Sequence, residues 1–429
     1  MDWTETKALL TRIFDAAVAA AHPANCLVRH LPPPPARGNV IVLAAGKAAG
    51  SMSEVAEQYY FGAGLPRERL SGIAVSRHGY GRPLRKIEMV EAGHPVPDAA
   101  GLAGAEKMLK LAAAAAENDL VLVLMSGGAS ANLIAPAVGI TLDDKRALTK
   151  QLLASGANIG EINTVRKHLS RIKGGRLAVA AGRAKLVSFA ISDVPGDDPS
   201  VIGSGPTVPD ASTLSDARAI LRRRRIEPPA AIAAALDDPR NESPKPDNPA
   251  FGNIEFHIVA RPADSLAAAA NAAKTAGLVP VVLAADLEGE AREVAADHAA
   301  QALRLKASGR RSVLLSGGEL TVTMTGKGRG GPNQEYALAL AVALNGAPDI
   351  SAVAGDTDGT DGGGGDASDP AGAFVNDTTL SRAKALGLDP ARSLADNDST
   401  TFFERTGDLL TPGPTYTNVN DLRAVLIDA

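Results

Sequence analysis

The sequence predicts an α/β protein of two domains, with parallel strands covered by helices. Three observations carry that prediction. At 429 residues the chain exceeds what one ordinary core holds. Apolar strand-like runs alternate with helix-period segments, the pattern of parallel sheets with crossover helices. Six of those runs stop in loops rich in glycine, serine or aspartate, ending at Gly50, Ser130, Asp198, Glu290, Glu319 and Gly365. Open α/β sheets bind ligands outside the carboxyl ends of their strands, so loops of this kind predict one site for an anionic, phosphorylated substrate.

The elements follow in order. Leu9, Leu10, Ile13, Phe14, Ala17 and Val18 form one face of an amphipathic first helix rather than a targeting segment. Leu31 to Gly38, with four consecutive prolines, is a stiff connector. Strand 40–43, helix 48–60 and strand 72–75 come next, then helix 99–116, strand 120–125, helix 143–155 and strand 186–191. Residues 241–250 hold three prolines and mixed charge without periodicity, and read as the main linker. Strands are expected again at 254–259, 281–284, 312–315 and 351–354.

Composition excludes several classes. The balance of 44 basic and 48 acidic residues gives −4, and aromatics are 3%, so neither nucleic acid nor an anionic membrane is an expected partner. Cys26 is the sole cysteine, which fits a reducing, cytoplasmic setting. No run of eighteen apolar residues predicts a transmembrane span.

The loops carry the chemistry. Lys47 follows the first strand in AAGKAAG. It is not a Walker A loop, since Ile41 and Ala48 stand where glycine and Ser/Thr are needed. A solvated lysine is the alternative, although a first helical turn is a poor place for a cation. SGGAS, Ser126 to Ser130, offers unshielded amides and two hydroxyls, either an anion nest or a plain turn. NTVRKHLSRIKGG, from Asn163, is the densest basic stretch; with an Asn-Thr cap it reads as a helix able to face polyphosphate. Asp193, after strand 186–191, is placed to hold a hard cation or a substrate hydroxyl. Arg329 lies in the glycine loop that opens a helix at Pro332 and can clamp a carboxylate or phosphoryl group. Residues 356–369 crowd five aspartates, a site for metal or hydroxyl contact or a flexible acidic loop.

Together GKAAGSM, AGHPVPD, MSGGAS, NTVRKHLSRIKGG, SDVPGDDPSVIGSGPT, LSGGE, GRGGPNQE, DTDGTDG and GPTYTNVND resemble the class II glycerate kinases, which carry a MOFRL domain. The motifs run in the family's order from Lys47 to Asp421. The resemblance implies a Rossmann-like N-terminal domain over residues 1–245, a smaller α/β region over 252–429 containing MOFRL at about 310–422, and an active site in the cleft between. It implies ATP- and Mg²⁺-dependent phosphorylation of D-glycerate to 2-phosphoglycerate, by a monomer or homodimer. Lys47 and Asp193 match active-site positions, Asp193 as base or metal ligand. Ser126, Gly127, Gly128, Ser130, Lys167, His168 and Lys173 fall on the nucleotide side, and Asn333 and Asp358 on the substrate side. Many relatives read GGRNQE where this chain has Pro332, so Arg329 is the replacement expected. Some members have been named hydroxypyruvate reductases, but no G-x-G-x-x-G directly follows any of the strands expected above. A phosphosugar isomerase or an ATP sensor would share the phosphate nests.

Overall fold

The computed structural model describes residues 1–363 and 366–428. It divides into two compact units, Cys26–Val259 and Met1–Asn25 with Ala260–Ala429. No helix of the described residues is long and apolar enough to cross a membrane.

The first unit is built on six strands: β1 (Val40–Ala45), β2 (Leu70–Arg77), β3 (Ile87–Ala92), β4 (Leu120–Met125), β5 (Lys185–Ile191) and β6 (Ile254–Ala260), in the order β3-β2-β1-β4-β5-β6. β1 to β5 are mutually parallel. VIVLAA in β1 and LVLVLM in β4 are buried at every position, as central strands covered on both faces must be. The core lies between this sheet and helix Ala99–Ala113, with Leu43, Val75, Met108 and Val123 in it. A separate apolar cluster joins helices Leu142–Ala154, Ile159–His168, Leu214–Arg223 and Ala230–Asp237 through Leu148, Leu152, Val165, Ile220 and Ile232.

The second unit carries β7 (Val279–Val282), β8 (Ser312–Ser316), β9 (Ile350–Asp356), β10 (Gly372–Val375), β11 (Leu409–Leu410) and β12 (Asp421–Ile427), in the order β11-β10-β9-β12-β8-β7. Only β7 and β8 pair in parallel; β12 runs antiparallel to both β8 and β9. The parallel arrangement expected throughout therefore holds for β1 to β5, and the second sheet is mixed. Sequence periodicity gave no warning of β12, because a strand buried at every position, DLRAVLI, has no alternation to read.

Two boundaries differ from the sequence expectation. The first helix, Trp3–Ala21, packs its predicted face (Leu9, Leu10, Ile13, Phe14, Ala17) against Leu266, Leu315, Val353 and Leu426, so it belongs to the second unit. Residues 241–250 are not the crossing. Their polar groups serve the first unit: Arg176 Nη2 donates to the Asn241 carbonyl at 2.5 Å, and Lys245 Nζ to the Asp210 carbonyl at 3.2 Å. β6 then completes the first sheet, so the chain leaves that unit only at 259/260.

Phe14 is fully buried, and Phe14→Ala should cost about 3–5 kcal/mol. Urea unfolding combined with amide hydrogen exchange checks the placement. Protection should fall across 312–427 and stay unchanged across 40–191.

Candidate anion-binding site

The strand order of the first sheet reverses beside β1, with β2 on one side and β4 on the other. In parallel sheets that reversal opens a crevice at the strands' carboxyl ends. The two loops leaving β1 and β4 are fastened together there. Lys47 N–H donates to the Gly127 carbonyl at 2.8 Å, Ala48 N–H to Ser126 Oγ at 2.9 Å, and Ser126 N–H to the Ala45 carbonyl at 3.1 Å. Gly46, at φ +111, is obligatory, since a Cβ would lie 2.4 Å from Ser126 Oγ. Ser126 is thus buried and engaged by the fold. Gly128 sits between two side chains: a Cβ on it would lie 3.0 Å from the His94 ring and 3.4 Å from Lys47 Cγ.

A pocket of about 590 Å³ opens beside Gly128, its lining including His94, Ser130, Lys145, Arg166 and Lys173. Lys173 is buried, with Nζ donating to the Ser130 carbonyl at 2.9 Å. Lys145 is buried, with Nζ on the Leu169 carbonyl at 3.0 Å. Burial, reinforced by Arg166 and Arg176, pushes Lys145 down to about 7. Burial, with Lys145 and Arg166 adding to it, holds Lys173 well below the usual lysine range. Neither lysine forms a salt bridge among the described residues, nor does Arg166. Three basic groups close together in low dielectric, without a salt-bridge partner among the described residues, are electrostatically expensive to charge. A polyanion brought into the pocket relieves all three at once.

Ser130 joins this wall through its hydroxyl, 3.0 Å from Ser204 Oγ, which in turn donates to Asn163 Oδ1 at 3.2 Å. Asp193 is half-buried just past β5, at the same edge of the sheet, but outside the pocket lining. The basic stretch is arranged differently from the expectation. Its helix begins at an Asn158/Glu161 capping box and ends at His168, so Asn163 is a buried mid-helix residue rather than a cap. Lys167 faces Asp210 at 3.4 Å. His168 is enclosed by the Thr164 carbonyl (2.8 Å), Glu242 and Ser243 (3.2 Å each). These two hold the chain together and do not reach the pocket. Gly174 and Gly175 admit a neighbouring backbone: their N–H groups donate to the carbonyls of Ser204 and Gly205, at 3.0 and 2.7 Å.

Sequence reasoning passed over Lys145, and took Arg166 only as one of the charges of the basic stretch. A signal was present: Leu142, Lys145, Arg146, Thr149, Lys150 and Leu153 recur at helical i, i+3, i+4 spacing, and all six line the pocket. Charged residues on a helix read as a solvated face, which hid it.

The second unit has its own pocket of about 760 Å³, lined among others by Arg329, Pro332, Glu335, Asp361 and Glu404. Arg329 is largely exposed and pairs with Glu404 at 2.8 Å. Its glycine loop runs tightly along residues 396–399; a Cβ on Gly326 would lie 2.2 Å from the Asp396 carbonyl oxygen. The acidic loop turns inward. Asp361 accepts from the backbone N–H groups of Asn333 (3.0 Å) and Gln334 (2.9 Å), capping helix Pro332–Leu344 from a distance. Burial pushes Asp361 up to about 7, with Asp421 adding to the shift against the amide donors. Asn333 is buried, its Nδ2 bridging Asp361 and Asp421 at 3.2 and 2.7 Å. Asp358 is buried and accepts from Thr360 N–H at 2.7 Å. Among the described residues no group of three or more His, Cys, Asp or Glu could hold a metal ion; the carboxylates traced here cap backbone. Gly364 and Gly365 of this loop lie outside the described residues.

Residues 9–237 match the model of a domain of unknown function, DUF4147, and residues 312–421 match the MOFRL family. A D-glycerate 2-kinase of Thermotoga maritima is 39% identical over 393 residues, 90% of each chain. A protein of Agrobacterium vitis, provisionally named a hydroxypyruvate reductase, is 49% identical over 435 residues, 100% of this chain and 96% of that one. The crystal structure of a glycerate kinase from Thermotoga maritima superposes with a TM-score of 0.86 at 37% identity, covering 99% of this chain and 100% of that one.

The lysine charges make the pocket pH-sensitive, with a definite sign. Lys145 loses its proton at about 7 in the folded chain and near 10.4 when unfolded. Its penalty on folding is full below about pH 7 and fades as pH rises toward 10. A polyanion raises the pKa again, so tripolyphosphate should bind with proton uptake at pH 8, and more weakly as pH climbs to 9. Calorimetry in buffers of different ionisation enthalpy measures this. Lys145→Met should remove part of the uptake, and the difference from wild type cancels protonation of the ligand itself.

Proposed function

The chain belongs to the glycerate kinase family that carries a MOFRL domain, and from that premise we propose that it transfers the γ-phosphoryl group of ATP to the 2-hydroxyl of D-glycerate. The products are 2-phosphoglycerate and ADP: the bond from γ-phosphorus to the β,γ-bridging oxygen breaks as that to glycerate O2 forms. The observation that carries the reading is the trio Lys145, Arg166 and Lys173, basic groups without a salt-bridge partner among the described residues, lining one pocket at the sheet's switch point. Their role is to hold the triphosphate. Lys47, whose Cγ flanks Gly128 at the edge of that pocket, offsets charge developing on the transferring group. In phosphoryl transfer such positioning and neutralisation do most of the work.

Asp193, at the carboxyl end of β5, orients the acceptor hydroxyl and takes its proton, or contributes a ligand to Mg²⁺. Asp193 is a single carboxylate, which would be enough for magnesium of the kind held mostly by phosphates and water, and such an ion would help to neutralise the phosphate oxygens. Arg329 supplies a planar fork for the glycerate carboxylate, exchanging its surface pair with Glu404 for the substrate. Asn333 and Asp358 support the loops around that group through the hydrogen bonds they make internally. The chemistry fits a cytoplasmic enzyme. A nicotinamide-dependent reduction of hydroxypyruvate, the reading behind the name of the Agrobacterium relative, finds less support, because the first strand-to-helix turn reads AAGKAAG instead of a pyrophosphate fingerprint.

Phosphorus NMR of ATP, Mg²⁺ and D-glycerate with the enzyme should show a phosphomonoester on carbon 2 and stoichiometric ADP; parallel assays should show no NADH oxidation with hydroxypyruvate. Lys47→Ala should lower kcat and kcat/KM together by on the order of 100-fold while leaving ATP affinity nearly unchanged. An unaltered kcat removes Lys47 from the mechanism. Arg329→Lys should be far more damaging than Lys327→Ala, because a point charge does not reproduce the fork; equal effects would indicate only a diffuse positive loop.

A further inference from the structure

Basic side chains line the pocket beside Gly128 from its buried side out to solvent. Lys145 and Lys173 are buried and Arg166 is half-buried. Arg146 and Lys150 continue the lining along helix Leu142–Ala154, Arg146 half-buried and Lys150 exposed. Four residues apart, those two share one face of the helix and are separated by about 6 Å along its axis. No Asp or Glu side chain lines the pocket. Arg146 meets Asp143 at 2.9 Å outside it, in an exposed pair that neutralises little in water. No Asn or Gln lines it either, so the side-chain amides and carboxylates that commonly read the edge of a heterocyclic base are missing from its walls. Positive charge spread over the length of a pocket of about 590 Å³ suits a ligand that is itself anionic over its whole length.

Resting on the kinase reading for the acceptor, we propose that this pocket takes linear inorganic polyphosphate lengthwise and that the enzyme uses it as a second phosphoryl donor to D-glycerate. The terminal phosphate sits at the Gly128 edge beside Lys47, the phosphates behind it on Lys173, Arg166 and Lys145, and the remainder of the chain on Arg146 and Lys150. The bond from the terminal phosphorus to its bridging oxygen breaks as that to glycerate O2 forms. The polyphosphate, one unit shorter, leaves with the bonding electron pair, and the hydroxyl proton passes to the group that takes it with ATP. A phosphoanhydride is broken with either donor, and the nucleoside of ATP has no part in the bond changes. What a donor needs from this pocket is charge neutralisation along the chain, and the lining supplies it.

The test is phosphorus NMR on the nucleotide-free full chain with D-glycerate and excess Mg²⁺, with tripolyphosphate in one sample and ATP in another. Tripolyphosphate should give 2-phosphoglycerate and pyrophosphate in equal amounts. Turnover of ATP with tripolyphosphate left intact, bound or not, overturns the donor inference and leaves the kinase reading standing. Turnover of tripolyphosphate alone keeps the inference and removes ATP as a donor; turnover of neither removes the kinase reading and this inference with it. Calorimetry without glycerate reads the lengthwise placement. Affinity should rise from pyrophosphate to tripolyphosphate to a longer linear chain, and Lys150→Ala should weaken the longest about 5-fold and pyrophosphate by a smaller factor. An unchanged melting temperature shows that the variant is folded. Equal weakening of all three ligands, or of none, overturns the placement.

Discussion

Lysine and arginine side chains kept from water, with no salt-bridge partner among the described residues, are the constraint around which the first unit is organised. Among the described residues Lys145 and Lys173 donate to backbone carbonyls, of Leu169 and Ser130. Ser130 presents its carbonyl from the short helix Ala129–Asn132 that follows β4, and Leu169 from the turn that follows helix Ile159–His168. The close approach of 202–206 to Gly174 and Gly175 fixes the segment that carries Lys173. Much of the surrounding polar network keeps acidic groups away from this floor. Asp210 is occupied by Lys167 and Ser212, Glu242 by Lys245 and His168, and Glu161 by Arg223 and Arg224. Positive potential in a low-dielectric pocket is the result, and it is what a phosphate chain recognises.

The second unit solves the reverse problem. Its acidic loop directs carboxylates inward and satisfies them with backbone N–H groups, Asp361 on Asn333 and Gln334, and Asp358 on Thr360. Capping by a residue 28 positions away in sequence ties the loop to helix Pro332–Leu344. Pro332 contributes no donor at that first turn, so the N–H groups Asp361 takes are those of the next two residues. Arg423, fully buried, does the same for the loop after β8 by donating to the carbonyls of Gly317 and Gly318 at 2.8 and 3.1 Å.

What could be read in advance follows the physics of each signal. Strands β1, β4 and β5 and their loops were legible because long apolar runs ending in glycine or serine have few other uses. β3 and β12 were not, the first for a weak mixed pattern and the second for lack of alternation. For the site, Lys47, Ser126 and Lys173 were visible as small-residue loops and charge density. Lys167 and His168 shared that density, yet their partners Asp210, Glu242 and Ser243 lie 43 to 75 positions away. No local pattern separates a lysine that meets an aspartate from one that meets a ligand. The family motifs pick out loops at the strands' carboxyl ends, but not which side chain in each loop is turned inward.

The helix Trp3–Ala21, at the front of the chain, completes a core whose other members include Val313, Val353 and Leu426. During synthesis at roughly 5–20 residues per second, it emerges on the order of 20–80 seconds before the last of those partners. The first unit, continuous from 26 to 259, can fold in that interval while the apolar face of Leu10, Ile13 and Phe14 is still without its native cover. Translation speed and chaperone access thus bear most heavily on helix Trp3–Ala21.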